Sequence, residues 1–357
     1  MSLAALLILT LACTSGKTTG DLDDSGAPSE GEGEGEGEGE GEGEGEGEGE
    51  GEGEGIDPDR YFPDGAVWYQ DVSDAALDPD SDAIIAFLQE EGWGLGRFQI
   101  DFSIEVLTAD ASTTRQSFSP TGDFYTPDCD QVPVPLPDGG AIEGERGYAC
   151  ESDGDCHLLV ADRDAGELFE MWRANVVGDT FYGGCLAVWD MGRVYGPEGR
   201  GVQCTSADAA GYPIAPLLFN ADEVAAGAVR HAIRFILPNA EIRDGVFVAP
   251  ATHSTGAASG GPTAPPYGAH LRLRADYPVD SLPDEGARVV ARALQTYGMF
   301  LADGGNVALT AQSDRFTEAK WDGLMDSHSL VDLEPSDFEV LALGEEIPLT
   351  YDCARED

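Results

Sequence analysis

The chain has 357 residues, and 68 acidic residues against 19 Lys and Arg set its net charge at −49. A field of that sign repels nucleic acid and anionic headgroups, so nucleic acid is excluded as a partner. Residues 1–55 hold 16 acidic residues and one Lys, which leaves 52 acidic and 18 basic residues, or −34, for residues 56–357. That second part is long enough to bury a substantial core.

Residues 3–12 form an apolar run of ten, too short to span a bilayer as a helix but matched to the apolar region of a signal peptide. The run, interrupted only by Thr10, ends in Thr10-Leu11-Ala12-Cys13, then come Thr14, Ser15 and Gly16. This resembles the bacterial lipoprotein signal, in which the cysteine is acylated and becomes the mature N-terminus. Two departures stand out: Thr10 occupies a position usually held by Leu, and no Lys or Arg precedes the run. The expectation is residues 1–13 as signal and lipobox, Cys13 as lipid attachment point, and the membrane as partner through that anchor. An ordinary secretory peptide is the alternative.

From Glu30 to Gly55 Glu and Gly alternate without interruption, and no apolar side chain is available to repay ordering entropy. Residues 14–55 are therefore predicted to be a disordered spacer, of roughly 35–40 Å as a neutral coil and longer under self-repulsion.

Residues 56–357 read as one β-rich domain, or two packed lobes divided near residue 200. Residues 82–91 place Ile84, Ile85, Phe87 and Leu88 on one helical face, and residues 98–106 alternate as a half-buried strand. Residues 157–161, 167–172 and 185–189 are further strands between Gly and Asp turns. Next come a short helix at 221–226 and strands at 231–236, 246–249 and 270–274. A helix over 283–300 opens with Pro283-Asp284-Glu285 and carries Val289, Val290, Ala293, Leu294 and Tyr297 at helical spacing. The predicted class is α+β, β-rich, with an antiparallel sandwich-like core and a few helices.

Setting Cys13 aside leaves six cysteines, an even number suited to three disulfides in an oxidising compartment. Cys150 with Cys156 closes a short loop and is the first pairing expected. Cys185 with Cys204, and Cys129 with Cys353, complete the set. Zinc is the rival reading, but no Cys-x-x-Cys pair exists and the histidines are scattered.

The nucleophile elbow, the phosphate-cradling loop, the paired-histidine zinc motif and the dinucleotide fingerprint are all absent. The polar blocks concentrate in residues 205–303: Thr205-Ser206-Ala207-Asp208-Ala209-Ala210-Gly211, Asp222-Glu223-Val224, His231-Ala232-Ile233-Arg234-Phe235, Thr252-His253, Pro265-Pro266-Tyr267-Gly268, and Tyr297-Gly298-Met299 through Ala302-Asp303. Their order resembles a family of secreted bacterial and fungal proteins; the resemblance implies export and supplies no mechanism.

On residue chemistry, His231 and His253 with Asp303 are candidates for an acid/base pair oriented by a carboxylate, and Asp208 for the second carboxylate of a glycosidase pair. Each has a structural alternative: a buried bonded histidine, a turn carboxylate, a helix cap. Arg234 and Tyr267 are candidate ligand-binding side chains. Asp153 and Asp155 offer oxygen ligands on the Cys150–Cys156 turn, enough to raise Ca²⁺ as a possible ion but short of the full EF-hand pattern; no other cofactor is expected. Two functions follow: a surface-tethered enzyme acting on extracellular polysaccharide as hydrolase or lyase, or a non-catalytic surface module that binds glycan or protein.

Overall fold

The computed structural model describes residues 60–124, 127–152 and 154–355. Cys13, the Gly-Glu tract and Asp153 lie outside the described residues. Ten strands build the two principal sheets: β1 (Ile100–Ile104), β2 (Val106–Ala109), β3 (Leu158–Asp162), β4 (Glu167–Trp172), β5 (Cys185–Asp190), β6 (Ile233–Leu237), β7 (His270–Leu273), β8 (Met299–Gly304), β9 (Leu309–Gln312) and β10 (Phe338–Val340). The larger sheet has the order β1-β9-β6-β8-β7-β10, and the smaller the order β5-β4-β3-β2. The α+β, β-rich class holds, while the pairing is mixed instead of antiparallel throughout. β1 with β9, β6 with β8 and β2 with β3 run parallel.

Both sheets contribute to one core. In β3, Leu159 and Ala161 face that core, whereas Leu158 and Val160 face a second cluster with Leu107, Phe169, Met171 and Leu186. A strand covered on both faces has no need of polar alternation, which is why residues 158–161 read as a continuous apolar run. Four of the five tryptophans, Trp68, Trp93, Trp189 and Trp321, are buried in the core.

Three helices accompany the sheets. In α1 (Ser81–Glu91), Ile84 and Leu88 recur one turn apart on the buried side, and Gly92 at φ +92° ends the helix. α2 (Ala221–Ala225) starts with a reciprocal capping box between Asn220 and Glu223. α3 (Glu285–Thr296) is capped by the Asp284 carboxylate on the Ala287 amide, 2.7 Å. α3 stops short of the expected Phe300, because Gly298 turns at φ +69° and Met299 and Phe300 open β8. A Cβ at Gly298 would meet the Leu271 carbonyl at 2.6 Å, so no other residue allows so close a turn.

The disulfides are Cys129–Cys185, Cys150–Cys156 and Cys204–Cys353. The short-loop pair is as expected; the other two correct the expected pairing. Asp130 donates its amide to the Leu186 carbonyl at 2.8 Å, which lays residue 129 beside the first residue of β5. The C-terminal segment returns to residues 202–204, where Ala354 bonds Val202 and the Gln203 side chain bonds Pro348 and Thr350. Neither contact is visible in cysteine spacing. Three disulfides belong to an oxidising compartment. Among the described residues, no helix is long and apolar enough to cross a membrane.

Cys204–Cys353 joins residues 149 positions apart, a long loop whose closure restricts the unfolded chain. Replacing Cys353 with serine is expected to lower the unfolding free energy by about 2–5 kcal/mol, measured from the urea midpoint; an unchanged midpoint would leave the tail held by its hydrogen bonds alone.

Candidate functional site

Four adjacent strands of the larger sheet place a row of polar residues on one face. Asp101 of β1 is paired in register with Thr310 of β9, and Arg234 Nη1 of β6 donates to Thr310 Oγ1 at 2.9 Å. Arg234 Nη2 reaches Asp303 of β8 at 3.4 Å. Residues paired across a sheet share a face, and a shift of one residue exchanges the faces. Arg234 pairs with Phe300 and Phe235 with Leu301, but Ile236 pairs with Asp303, so Ala302 is an extra residue in β8. That bulge turns Asp303 onto the Arg234 face; in unbroken register it would point to the opposite side, with Leu301 and Phe235.

Asp208 completes the guanidinium's partners, its Oδ1 accepting from Arg234 Nη2 at 2.6 Å. Arg234 and Asp208 are both buried, with side chains 2% and 0% exposed. Burial pushes Asp208 well above the usual carboxylate range against the pull of Arg234. Its Oδ2 meets no donor. The nearby Asp303 carboxyl raises Asp208 further, and a proton on Oδ2 changes it from an orphaned acceptor to a donor. Asp303 is itself raised by burial, with Arg234 and His157 opposing.

A second charged pair stands beside the row. Glu143 Oε2 accepts from the amide of His157 at 3.2 Å and faces its Nδ1 at 2.7 Å. Nε2 of the same ring lies 3.0 Å from the Ala207 carbonyl. Both ring nitrogens thus face acceptors, and an imidazole in that position carries both protons. Burial opposes the charge, but Glu143 outweighs it and raises His157 to about 9. Conversely, burial would raise Glu143, yet His157 and its hydrogen bonds hold it at about 2. Ser103 Oγ donates to Glu143 at 3.4 Å while its amide donates to Asp101 at 2.9 Å, which links the pair to the strand row. Asp303 and Glu143 keep 24% and 19% of their side chains exposed, and Asp101 is half-buried.

The candidates drawn from sequence divide accordingly. Asp208, Arg234 and Asp303 come together. Asp208 caps no helix, and Arg234 is committed to carboxylates instead of being free for a ligand. His231 and His253 do not join them. His231 is buried, with Nε2 3.2 Å from Glu223, at the edge of a different groove. His253 is buried, its Nδ1 3.0 Å from the Ala209 carbonyl, and burial lowers its pKa. Tyr267 is a core residue with none of its surface exposed, so its ring is not available to a ligand. Asp155 accepts from Trp172 Nε1 at 2.9 Å. Among the described residues it belongs to no set of three possible metal ligands; the set that does form, Glu145 with Cys150 and Cys156, loses its thiolates to the disulfide.

Asp101, Glu143, His157 and Thr310 were not singled out from sequence. His157 did carry a signal, a titratable residue directly after a cysteine and before the apolar run Leu158–Ala161; Glu143 lay in a loop without any. No protein-family model matches the chain, no curated protein matches it, and no solved structure matches it.

The His157–Glu143 pair links stability to pH on two sides. His157 has a raised folded-state pKa, so its contribution is complete below 6.5 and is lost as pH rises through about 9. Glu143 has a lowered one, so its contribution is complete above 4.5 and is lost as pH falls through about 2. Urea unfolding should show a decline between about pH 6.5 and 9 of up to roughly 1.4 kcal/mol per unit crossed, and Glu143→Gln should flatten it. An equal slope in the variant would assign the decline to other groups.

Proposed function

We propose that the chain is an exported lipoprotein, anchored through Cys13 and held off the membrane by the Gly-Glu tract, whose partly exposed carboxyls Asp303 and Glu143 hydrolyse an extracellular glycan. The observation that carries the reading is a pair of partly exposed carboxyls beside one buried guanidinium, with affinities for protons displaced in opposite directions. Such a division separates an acid from a permanently ionised group, as glycoside cleavage requires. Asp303 serves as the proton donor to the leaving oxygen, with buried Asp208 as its proton-sharing neighbour. Glu143, kept ionised by His157, stabilises the positive charge that develops on the sugar ring; water then adds to the anomeric carbon and gives a proton back to the Asp303 carboxylate.

The acidic surroundings narrow the substrate. Residues 56–357 carry −34, and Asp101, Glu143 and Asp303 are all partly exposed. A polyanion is repelled from such a surface. Neutral or amino-bearing polysaccharide is therefore favoured, and hydrolysis over elimination from a uronate polymer.

Assays of reducing ends on a panel of neutral and amino-bearing polysaccharides test this. Wild type should release product, while Asp303→Asn and Glu143→Gln should each lose on the order of 10²-fold or more in rate. Circular dichroism should show both variants folded. Saturable binding without product in the wild type would assign the site to a glycan-binding module instead, and equal rates in all three proteins would remove it from the chemistry. In a bacterial host, Cys13→Ser should move the chain from the membrane fraction to the soluble fraction; unchanged fractionation would refute the anchor.

A further inference from the structure

A concavity about 490 Å³ in volume lies around His231, and its charge runs against that of the domain. Arg60, Arg163, Arg230 and His231 line it, with Asp222 and Glu223 as its carboxylates. His231 Nδ1 lies 2.7 Å from the Ala232 carbonyl and Nε2 3.2 Å from Glu223. Both nitrogens face acceptors, so the ring is an imidazolium. The lining therefore holds four cations and two anions, within a domain of net −34.

The two carboxylates are already occupied. Asp222 accepts the amides of Glu318 and Ala319, at 3.2 and 2.6 Å. Glu223 accepts the Asn220 amide at 3.1 Å and faces His231 with its other oxygen. The cations are less committed. Arg60 pairs with Asp64 and lies over the ring of Tyr69, 4.5 Å from its centroid. Arg163 lies over Tyr61 at 5.3 Å and spends one nitrogen on the Arg60 carbonyl. Arg230 is exposed and has no ion-pair or hydrogen-bond partner among the described residues. A guanidinium stacked on an aromatic ring is restrained in position yet keeps edge N–H groups for a planar oxoanion.

We propose that this groove binds a small ligand carrying a carboxylate or phosphate group, with Arg230 and Arg163 as its charge partners and the imidazolium of His231 adding to the positive field. The volume falls in the range of small-molecule sites. The proposal is independent of the Asp303 site, since no side chain is shared between them.

Isothermal titration of the full chain with glucuronate and with inorganic phosphate, at constant ionic strength, provides the test. Saturable binding of at least one probe is expected, weakened about tenfold or more by Arg230→Ala and by Arg163→Ala. Arg292→Ala, on an exposed arginine outside the groove, should bind as wild type does. Because Arg230 has no partner to lose, its variant should retain the wild-type melting temperature. Glucuronate alone would identify a sugar-acid or other carboxylate ligand, phosphate alone a phosphoryl ligand, and both a general oxoanion site. Absence of saturable binding up to about 10 mM of either probe, or undiminished binding in the Arg230 variant, would overturn the proposal.

Discussion

Arg234 sits near the middle of the larger sheet with 2% of its side chain exposed, and a permanent cation there imposes requirements on everything around it. Water is not available to solvate it, so carboxylates and a hydroxyl must come from separate parts of the chain. Asp208 arrives on the loop before residue 212, Thr310 from the adjacent strand, and Asp303 from the strand on the other side. Loss of one partner from such a set costs about 3–5 kcal/mol, because the remaining charge is then buried unmatched. The ion pair thus defines the relation between the loop at 205–212 and the sheet. That loop in turn supplies the Ala207 carbonyl that orients His157.

Much of the scaffold was legible in the amino-acid sequence because it depends on local periodicity. The strand at residues 167–172 and the helix near 82–91 coincide closely with β4 and α1, whose apolar spacing expresses their burial directly. Helix α3 was overextended because Met299 and Phe300 continue an apolar pattern, and only the turn at Gly298 separates helix from strand. The mixed pairing of the sheets was not legible, since a strand pattern is silent about the direction of its neighbour.

The site was half legible, for a related reason. Arg234 between Ile233 and Phe235 announces a charge within an apolar strand, and such a charge demands partners. Asp208 and Asp303 stood out as carboxylates in polar blocks. Which groups meet is a matter of long-range placement, and the histidines show it: His231 and His253 were the more conspicuous acid/base candidates, yet each is engaged elsewhere. His157, which does join the carboxylates, is brought there by the β3 strand that it heads. The two sites also divide the charge between them, partly exposed carboxylates at one and guanidinium groups around the other, so they suit ligands of opposite character.

The bulge at Ala302 makes the charged site depend on a count of residues as well as on their identities. Side chains within β8 can be exchanged for others of similar size while the strand keeps its length. A single insertion or deletion between Leu301 and Asp303 would exchange the two faces of the strand end. It would drive the aspartate toward the aromatic layer that holds Phe235 and Trp93, whose rings lie 6.3 Å apart, and leave the guanidinium short of one counter-charge. This short stretch of backbone is therefore far more tolerant of substitution than of any change in length.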